Sequence, residues 1–365
     1  MKNIGILNFQ YSTHNYGAVL QAGALEFTLK EIGYKPTHID FKAKKKKNFK
    51  QRLNKALKKL TPQQRAKRSI SRQQRIGNKD AFENFRKNYI SRTEKIRKPK
   101  EFIKIAQDFD AIIVGSDQVW RPTYAIDPIA FFLGYVPSGI ARIAYAASFG
   151  TSHWEMLCDT KLTNKVRSEL SKFKAISCRE DSGVDICRKT FKVEAEHVLD
   201  PLLLVSNLYL EEIISESTVR NNGKLIYYKL DFNEDFFDDI KEISNKTSRV
   251  ATNIYLKNSK NREYSEVSDW LSMIYKSETV ITDSYHCICL ALRFNKEVIY
   301  CPNESRGQGR ILSLLNKLDI GFEPLNLSLK TTMFKLIPRN NIAKKLKSER
   351  EKSFDFLLSS LEINS

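Results

Sequence analysis

Residues 4–41 read IGILNFQYSTHNYGAVLQAGALEFTLKEIGYKPTHIDF, and their hydrophobic period changes twice. Residues 4–9 are a short apolar run of strand length. Val19, Ala22, Leu25, Leu29 and Ile32 then recur every three or four residues, the spacing of one helix face, until Gly33 stops the pattern. Residues 37–41 are a second strand run. The stretch is one strand–helix–strand unit, and it sets the expectation for the rest of the chain.

Beyond residue 104 the same grammar returns. Apolar runs at 110–114, 142–147, 174–177 and 193–199, bounded by Gly, Ser, Asp or Pro, predict a mostly parallel sheet ending near Asp200-Pro201. A second alternation succeeds the polar stretch 215–223. It has strands at 224–230, 249–254, 279–282 and 297–301, and helices from 233, over 265–275, from 285 and over 309–318. The expected fold is α/β: two Rossmann-like domains, residues 1–214 and 215–338, facing across a cleft. Ile342, Leu346, Phe354, Leu357 and Leu361 fall on one face of a helix within 339–365 that would pack back across the molecule.

The 365 residues, 41% hydrophobic and 11% aromatic, exclude a largely disordered or collagenous chain. The formal net charge of +19 is local. Residues 42–104 hold 24 Lys/Arg and four acids, a surplus of 20, so the remainder is close to neutral. That pattern argues against a nucleic-acid surface spread over the fold. Within the segment, Phe49, Leu53, Leu57 and Leu60 repeat at helical spacing among lysines until Pro62. Two readings stay open: a basic amphipathic helix on an anionic membrane surface, or a solvated insertion between strands. Six cysteines in a chain this long are not a disulfide framework, and MKNIGILNF does not read as a signal peptide. No run of 18 apolar residues occurs, so the expectation is a cytoplasmic protein, peripheral at most on the inner face of the cell membrane.

Polar clusters follow the strands. The first strand runs into YSTHNYG, residues 11–17, where Asn15, Tyr16 and Gly17 precede a helix expected to begin near Ala18, whose unpaired N–H groups suit an anion or a sugar hydroxyl. The strand at 110–114 ends in GSDQVW, residues 115–120. There Ser116, Asp117 and Trp120 make either a saccharide surface or a tight turn with a buried Trp. The strand at 279–282 ends in Asp283-Ser284-Tyr285-His286 and opens a helix. His286 is the candidate for proton transfer, the alternative being a helix cap; because a helix N-terminus disfavours imidazolium, an acid role needs negative charge nearby, from Asp283 or a bound phosphate. Arg179, Arg306 and Arg310 are candidate anion clamps. Cys287 and Cys289 lie about 200° apart on a helix and no second ligand cluster is evident, so no metal is expected. His14, His38, His153 and His197 have no assignable role. The absence of a Walker loop and of GxGxxG leaves ATP, NAD and any other cofactor unindicated.

Taken in order, NYGAVLQ at 15–21, GSDQVW at 115–120, RIAYAASFG at 142–150, SCREDSG at 177–183, VLDP at 198–201 and TDSYH at 282–286 resemble the polysaccharide pyruvyl transferase family. The resemblance covers the chain from residue 1 to about 320. It implies the two-domain arrangement of GT-B glycosyltransferases, phosphoenolpyruvate as donor and a cell-envelope or exopolysaccharide sugar, lipid-linked, as acceptor. It also implies His286 as general acid, and Arg179, Arg306, Arg310 and Ser284 as donor-binding residues. Some members carry Arg-Leu-His where this chain has Ser284-Tyr285-His286. The competing reading is a GT-B-type glycosyltransferase using a nucleotide sugar.

Overall fold

A computed structural model describes residues 1–43, 80–220, 223–230, 234–258, 263–302, 308–325, 334–339 and 342–362. Arg306 and the repeat from Phe49 to Leu60 lie outside these residues, as do Lys44 to Lys47.

The first sheet has the order β2-β1-β3-β4-β5-β6, all parallel. Its strands are β1 (Asn3–Leu7), β2 (Lys35–His38), β3 (Ala111–Val114), β4 (Ala141–Ala147), β5 (Ala175–Cys178) and β6 (Glu196–His197). Helix α1 (Tyr16–Glu31) makes the crossover read from the sequence, starting two residues earlier than expected because Asn15 caps it. The Asn15 side chain accepts from Ala18 N–H at 3.2 Å. The crossover from β2 to β3 contains α2 (Asp80–Tyr89) and α3 (Pro99–Ala106). Over residues 80–104 these helices correct the reading of an insertion apart from the fold: Phe82 and Phe102 are fully buried. Each such phenylalanine contributes about 1.5–3 kcal/mol of burial, enough to hold a cationic helix against the sheet. Helices α4 (Pro128–Phe131) and α5 (Thr160–Leu170) flank β4. Helix α6 (Asp181–Ile186) follows β5 and runs into a π turn over Cys187–Phe191.

Helices α7 (Pro201–Leu204) and α8 (Asn207–Ser215) lead to the second sheet, order β13-β14-β12-β11-β7-β8. Its parallel part is β7 (Leu225–Tyr228), β8 (Ala251–Asn253), β11 (Thr279–Thr282) and β12 (Glu297–Tyr300), with α9 (Glu234–Thr247), α10 (Val267–Lys276) and α11 (Tyr285–Arg293) between them. The pair β9 (Leu256–Asn258) and β10 (Glu263–Tyr264) forms a separate ribbon. Helix α12 (Gly309–Lys317) precedes antiparallel β13 (Glu323–Pro324) and β14 (Lys335–Ile337). Helix α13 (Ala343–Leu361) returns to the first sheet, where Phe356, Leu357 and Leu361 pack with Ile4, Leu25 and Ile113. Among the described residues no helix is long and apolar enough to cross a membrane.

One hydrophobic cluster joins the two halves: Tyr16 and Val19 of α1, Phe82 of α2, and Tyr228, Trp270 and Ile288 of the second half. The Tyr16 ring stacks on Trp270 at 4.8 Å with an interplanar angle of 3°. Its hydroxyl lies 3.1 Å from the Tyr255 carbonyl and 3.0 Å from that of Ser265.

Candidate active site

Strand order reverses direction between β1 and β3 in the first sheet and between β7 and β11 in the second. At such a switch point, loops leave the carboxyl ends of adjacent strands to opposite sides and open a crevice. The two crevices face each other. Asn15, Asp117 and Gln118 line the resulting narrow cleft from the first sheet; Leu230, Asp283, Ser284, Tyr285 and His286 line it from the second, with Arg310 from the start of α12.

His286 follows from local sequence. Ser284 caps α11, accepting from Cys287 N–H, and the next two residues begin the helix with their side chains at the strand end. The ring reaches across to the other half. His286 Nε2 lies 2.9 Å from an Arg179 guanidinium nitrogen and 3.5 Å from Asp200 Oδ2. An unprotonated Nε2 would accept from the guanidinium, and a protonated one would donate to Asp200, so the two neighbours favour different states of the ring. Gly17 of α1 abuts Nδ1: a Cβ there would come within 2.2 Å of it. Gly17 thus admits the imidazole, and Asn15 takes the Ala18 N–H; both roles differ from the anion cradle expected of these residues.

Arg179 does not face the opening. It is 1% exposed and pairs with Asp200 at 2.8 Å and Asp117 at 3.2 Å. Its guanidinium also covers the Tyr285 ring at 4.5 Å. Burial works against its charge, but Asp200 and Asp117 overturn that and hold its proton more tightly than usual. Burial likewise opposes ionisation of Asp200, yet His286, Arg179 and the Leu202 N–H hold that carboxyl well below the usual range. Asp117 is lowered too, Arg179, His286, the Gln118 N–H and Arg310 together outweighing burial. Glu180 behaves oppositely. Burial raises it, although Arg179 and Arg310 pull the other way, and its Oε1 accepts from Phe149 N–H at 2.9 Å.

The position of Asp117 is forced. Its φ of 78° lies in the left-handed region, where its carbonyl accepts from Val119 and Ser148 N–H and bridges the chain to Ala147. That bridge exists because β4 bulges between Ala144 and Ala147, and Ser177 holds the bulge by accepting from Ala146 N–H and donating to the Ala144 carbonyl.

Three candidates fall away from the opening. Trp120 is fully buried, stacked on Phe132 at 5.4 Å with its indole N–H on the Phe131 carbonyl, so the turn with a buried Trp is the correct alternative. Ser116 is buried with its hydroxyl on Asp200 at 2.8 Å, and Tyr16 belongs to the inter-domain aromatic contact. Asp283, expected to supply the charge beside His286, instead accepts from Leu230 N–H at 3.0 Å and sits 3.9 Å from Lys229. Asp200 stands in that place. Its sequence signal was its place at the end of a strand run, before Pro201. Asn15, Asp117, Asp283, Ser284, His286 and Arg310 do converge on the cleft. Among the described residues no cluster of His, Cys, Asp or Glu is arranged to hold a metal ion.

Among solved structures, the chain is similar to the UDP-GlcNAc 2-epimerase from Neisseria meningitidis bound to UDP-GlcNAc, with TM-score 0.51, 10% identity, and 98% of this chain and 100% of that one covered. A protein described as a putative UDP-N-acetylglucosamine 2-epimerase from Listeria monocytogenes is similar at TM-score 0.51 and 11% identity, with 98% and 89% covered. At such identities the likeness is one of fold, the GT-B arrangement of two α/β halves. Comparison with curated protein sequences gives no match. The sequence profile described as polysaccharide pyruvyl transferase matches residues 15–305, from the cap of α1 past β12, and the chain therefore belongs to the polysaccharide pyruvyl transferase family.

Proposed function

We propose that the protein transfers the pyruvyl group of phosphoenolpyruvate to two hydroxyls of a saccharide, forming a pyruvate ketal and releasing inorganic phosphate. The observation that carries this reading is the setting of His286: the starts of α1, α11 and α12 meet around it in one cleft, with Arg310 alongside. Helix N-termini and a guanidinium suit a small donor with carboxylate and phosphate charge.

The chemistry needs a proton at the donor's methylene carbon while a sugar hydroxyl attacks the neighbouring carbon; phosphate leaves, and the second hydroxyl closes the ring. One hydroxyl proton replaces the proton delivered to the methylene, and the other leaves with phosphate. In this reading His286 delivers the first proton, once the donor's anionic charge adds to that of Asp200 in favouring a protonated ring. Arg179 positions His286 instead of touching the donor, Arg310 faces the donor, and Asp117 and Asn15 face the acceptor. The acceptor belongs to a cell-envelope glycan, and contact with the inner membrane surface through the basic segment belongs to the same proposal.

The test is phosphate release and ketal formation from labelled phosphoenolpyruvate with candidate glycan intermediates. We expect acceptor-dependent turnover that His286→Gln lowers by about 100-fold or more. Turnover of a nucleotide sugar, with none of phosphoenolpyruvate, would replace this reading by glycosyl transfer.

A further inference from the structure

The loop leaving β1 carries a second polar cluster beside Asp117. Tyr11 is half-buried, set edge-on to Phe9 at 5.9 Å, and the Lys42 ammonium lies 4.8 Å from the centre of the Tyr11 ring. Tyr11 lies on the loop leaving β1 and Asp117 on the loop leaving β3, and these two strands pair side by side, Leu7 against Val114 at their carboxyl ends. Lys42 stands there because the chain past β2 continues alongside residues 91–96. Phe41 bridges Ile96 in parallel, Ile96 N–H donates to the Asp40 carbonyl and Lys42 N–H to that of Ile96, each at 3.0 Å. Ile96 points into the core, so Lys95 and Arg97 on either side emerge, and both are exposed.

The result is a shelf of cations around one aromatic face. The Phe41–Ile96 bridge sets Lys42 beside Arg97, with Lys95 one residue before Ile96; burial first, and then the charges of Lys95, Arg97 and Arg86, lower the Lys42 amine's hold on its proton against the opposite pull of Asp40. Arg86 is already engaged by Glu83 and by the carbonyls of Gln10 and Ser12. Asp40 is held from below by the buried Gln10 amide at 3.3 Å. Lys42, Lys95 and Arg97 repel one another, and an anion among them relieves that repulsion.

We propose that this shelf binds the acceptor as an anionic saccharide: one sugar face on Tyr11, its phosphate or carboxylate on Lys42, Lys95 and Arg97, and its hydroxyls directed past Asp117 into the cleft. Only the word acceptor rests on the transferase reading. Binding of an anionic sugar stands on the shelf itself.

Calorimetry on the full chain, without phosphoenolpyruvate, separates the two. The probes are N-acetylglucosamine 1-phosphate, N-acetylglucosamine, inorganic phosphate and phosphatidylglycerol vesicles. The sugar phosphate is expected to bind more tightly than the neutral sugar or phosphate alone. The exposed-site variant K42A/K95A/R97A should weaken it by about 10-fold or more, as loss of charge-assisted hydrogen bonds requires. Tyr11→Ala should weaken the sugar phosphate and leave phosphate unchanged, with Tyr11→Phe close to wild type. The proposal is overturned if the triple variant binds the sugar phosphate as wild type does, if only Arg310→Gln alters binding, or if no probe binds. It is also overturned if the triple variant loses vesicles alone, which would make the shelf a membrane contact. Intact sugar-phosphate binding with no turnover of phosphoenolpyruvate would break the transferase reading and leave the shelf standing.

Discussion

The two sheets contribute to the cleft in opposite ways. The first supplies a buried knot, in which Arg179 pairs with Asp200 and Asp117, Ser116 braces Asp200, and Glu180 ties down the loop after β4. The second supplies side chains at the rim, His286, Ser284 and Asp283 from the start of α11 and Arg310 from α12. A guanidinium buried among carboxylates is costly to assemble and costlier to break, so it fixes geometry. Rim groups keep a face toward whatever enters. Both halves line the cleft, but the buried charge knot that fixes its geometry comes from the first.

The sharpest way to break this contrast is at Arg179. Replacing it by Met leaves Asp200 and Asp117 buried without their counter-ion, and we expect a loss of about 3–5 kcal/mol in denaturant unfolding. Arg310→Met, at the rim, should cost far less stability, and equal losses would erase the distinction. Next is Gly17→Ala. The added methyl would stand 2.2 Å from Nδ1 and 2.5 Å from Cβ of His286, so the residue must shift; we expect turnover to fall by roughly 100-fold in steady-state assays, with a lower melting temperature as well.

Smaller effects test how the halves are joined. Tyr16→Phe removes the hydroxyl from the Tyr255 and Ser265 carbonyls and should cost about 1–2 kcal/mol by chemical denaturation. A pH dependence is a further test. Burial first, and Lys317 second, push His197 down to about 4. Between its ordinary value near 6.5 and about 4, the unfolded chain binds a proton that the folded chain refuses. This contribution to stability is complete above that window and is lost as pH falls through it. His197→Gln should flatten that part of the stability–pH curve; an unchanged slope would place its origin elsewhere.

Much of the architecture is legible in the chain. The alternation of short apolar runs with helical faces predicts both sheets, because period and strand-end polar residues are local properties, and the same logic places His286, Ser284 and Arg310 at a cleft. Trp120 shows the limit. Gly-Ser-Asp-Gln-Val-Trp reads equally as a surface or as a turn over a buried ring, and only the packing of Phe132 and Phe149 decides. Asp200 and Asp117 are visible as residues but not as partners of Arg179, since they lie 21 and 62 positions from it and no local period links them. Phe82 and Phe102 are hidden by the lysines and arginines around them, which dominate composition but point outward.

The contact between Arg179 and His286 joins a residue that follows β5 to one that follows β11. It is therefore a bond between two bodies, and it works as a docking pin. Any movement of one half against the other would separate the ring from Arg179 and Asp200 together, so the residue proposed to move the proton keeps its partners only while the two halves stay in register.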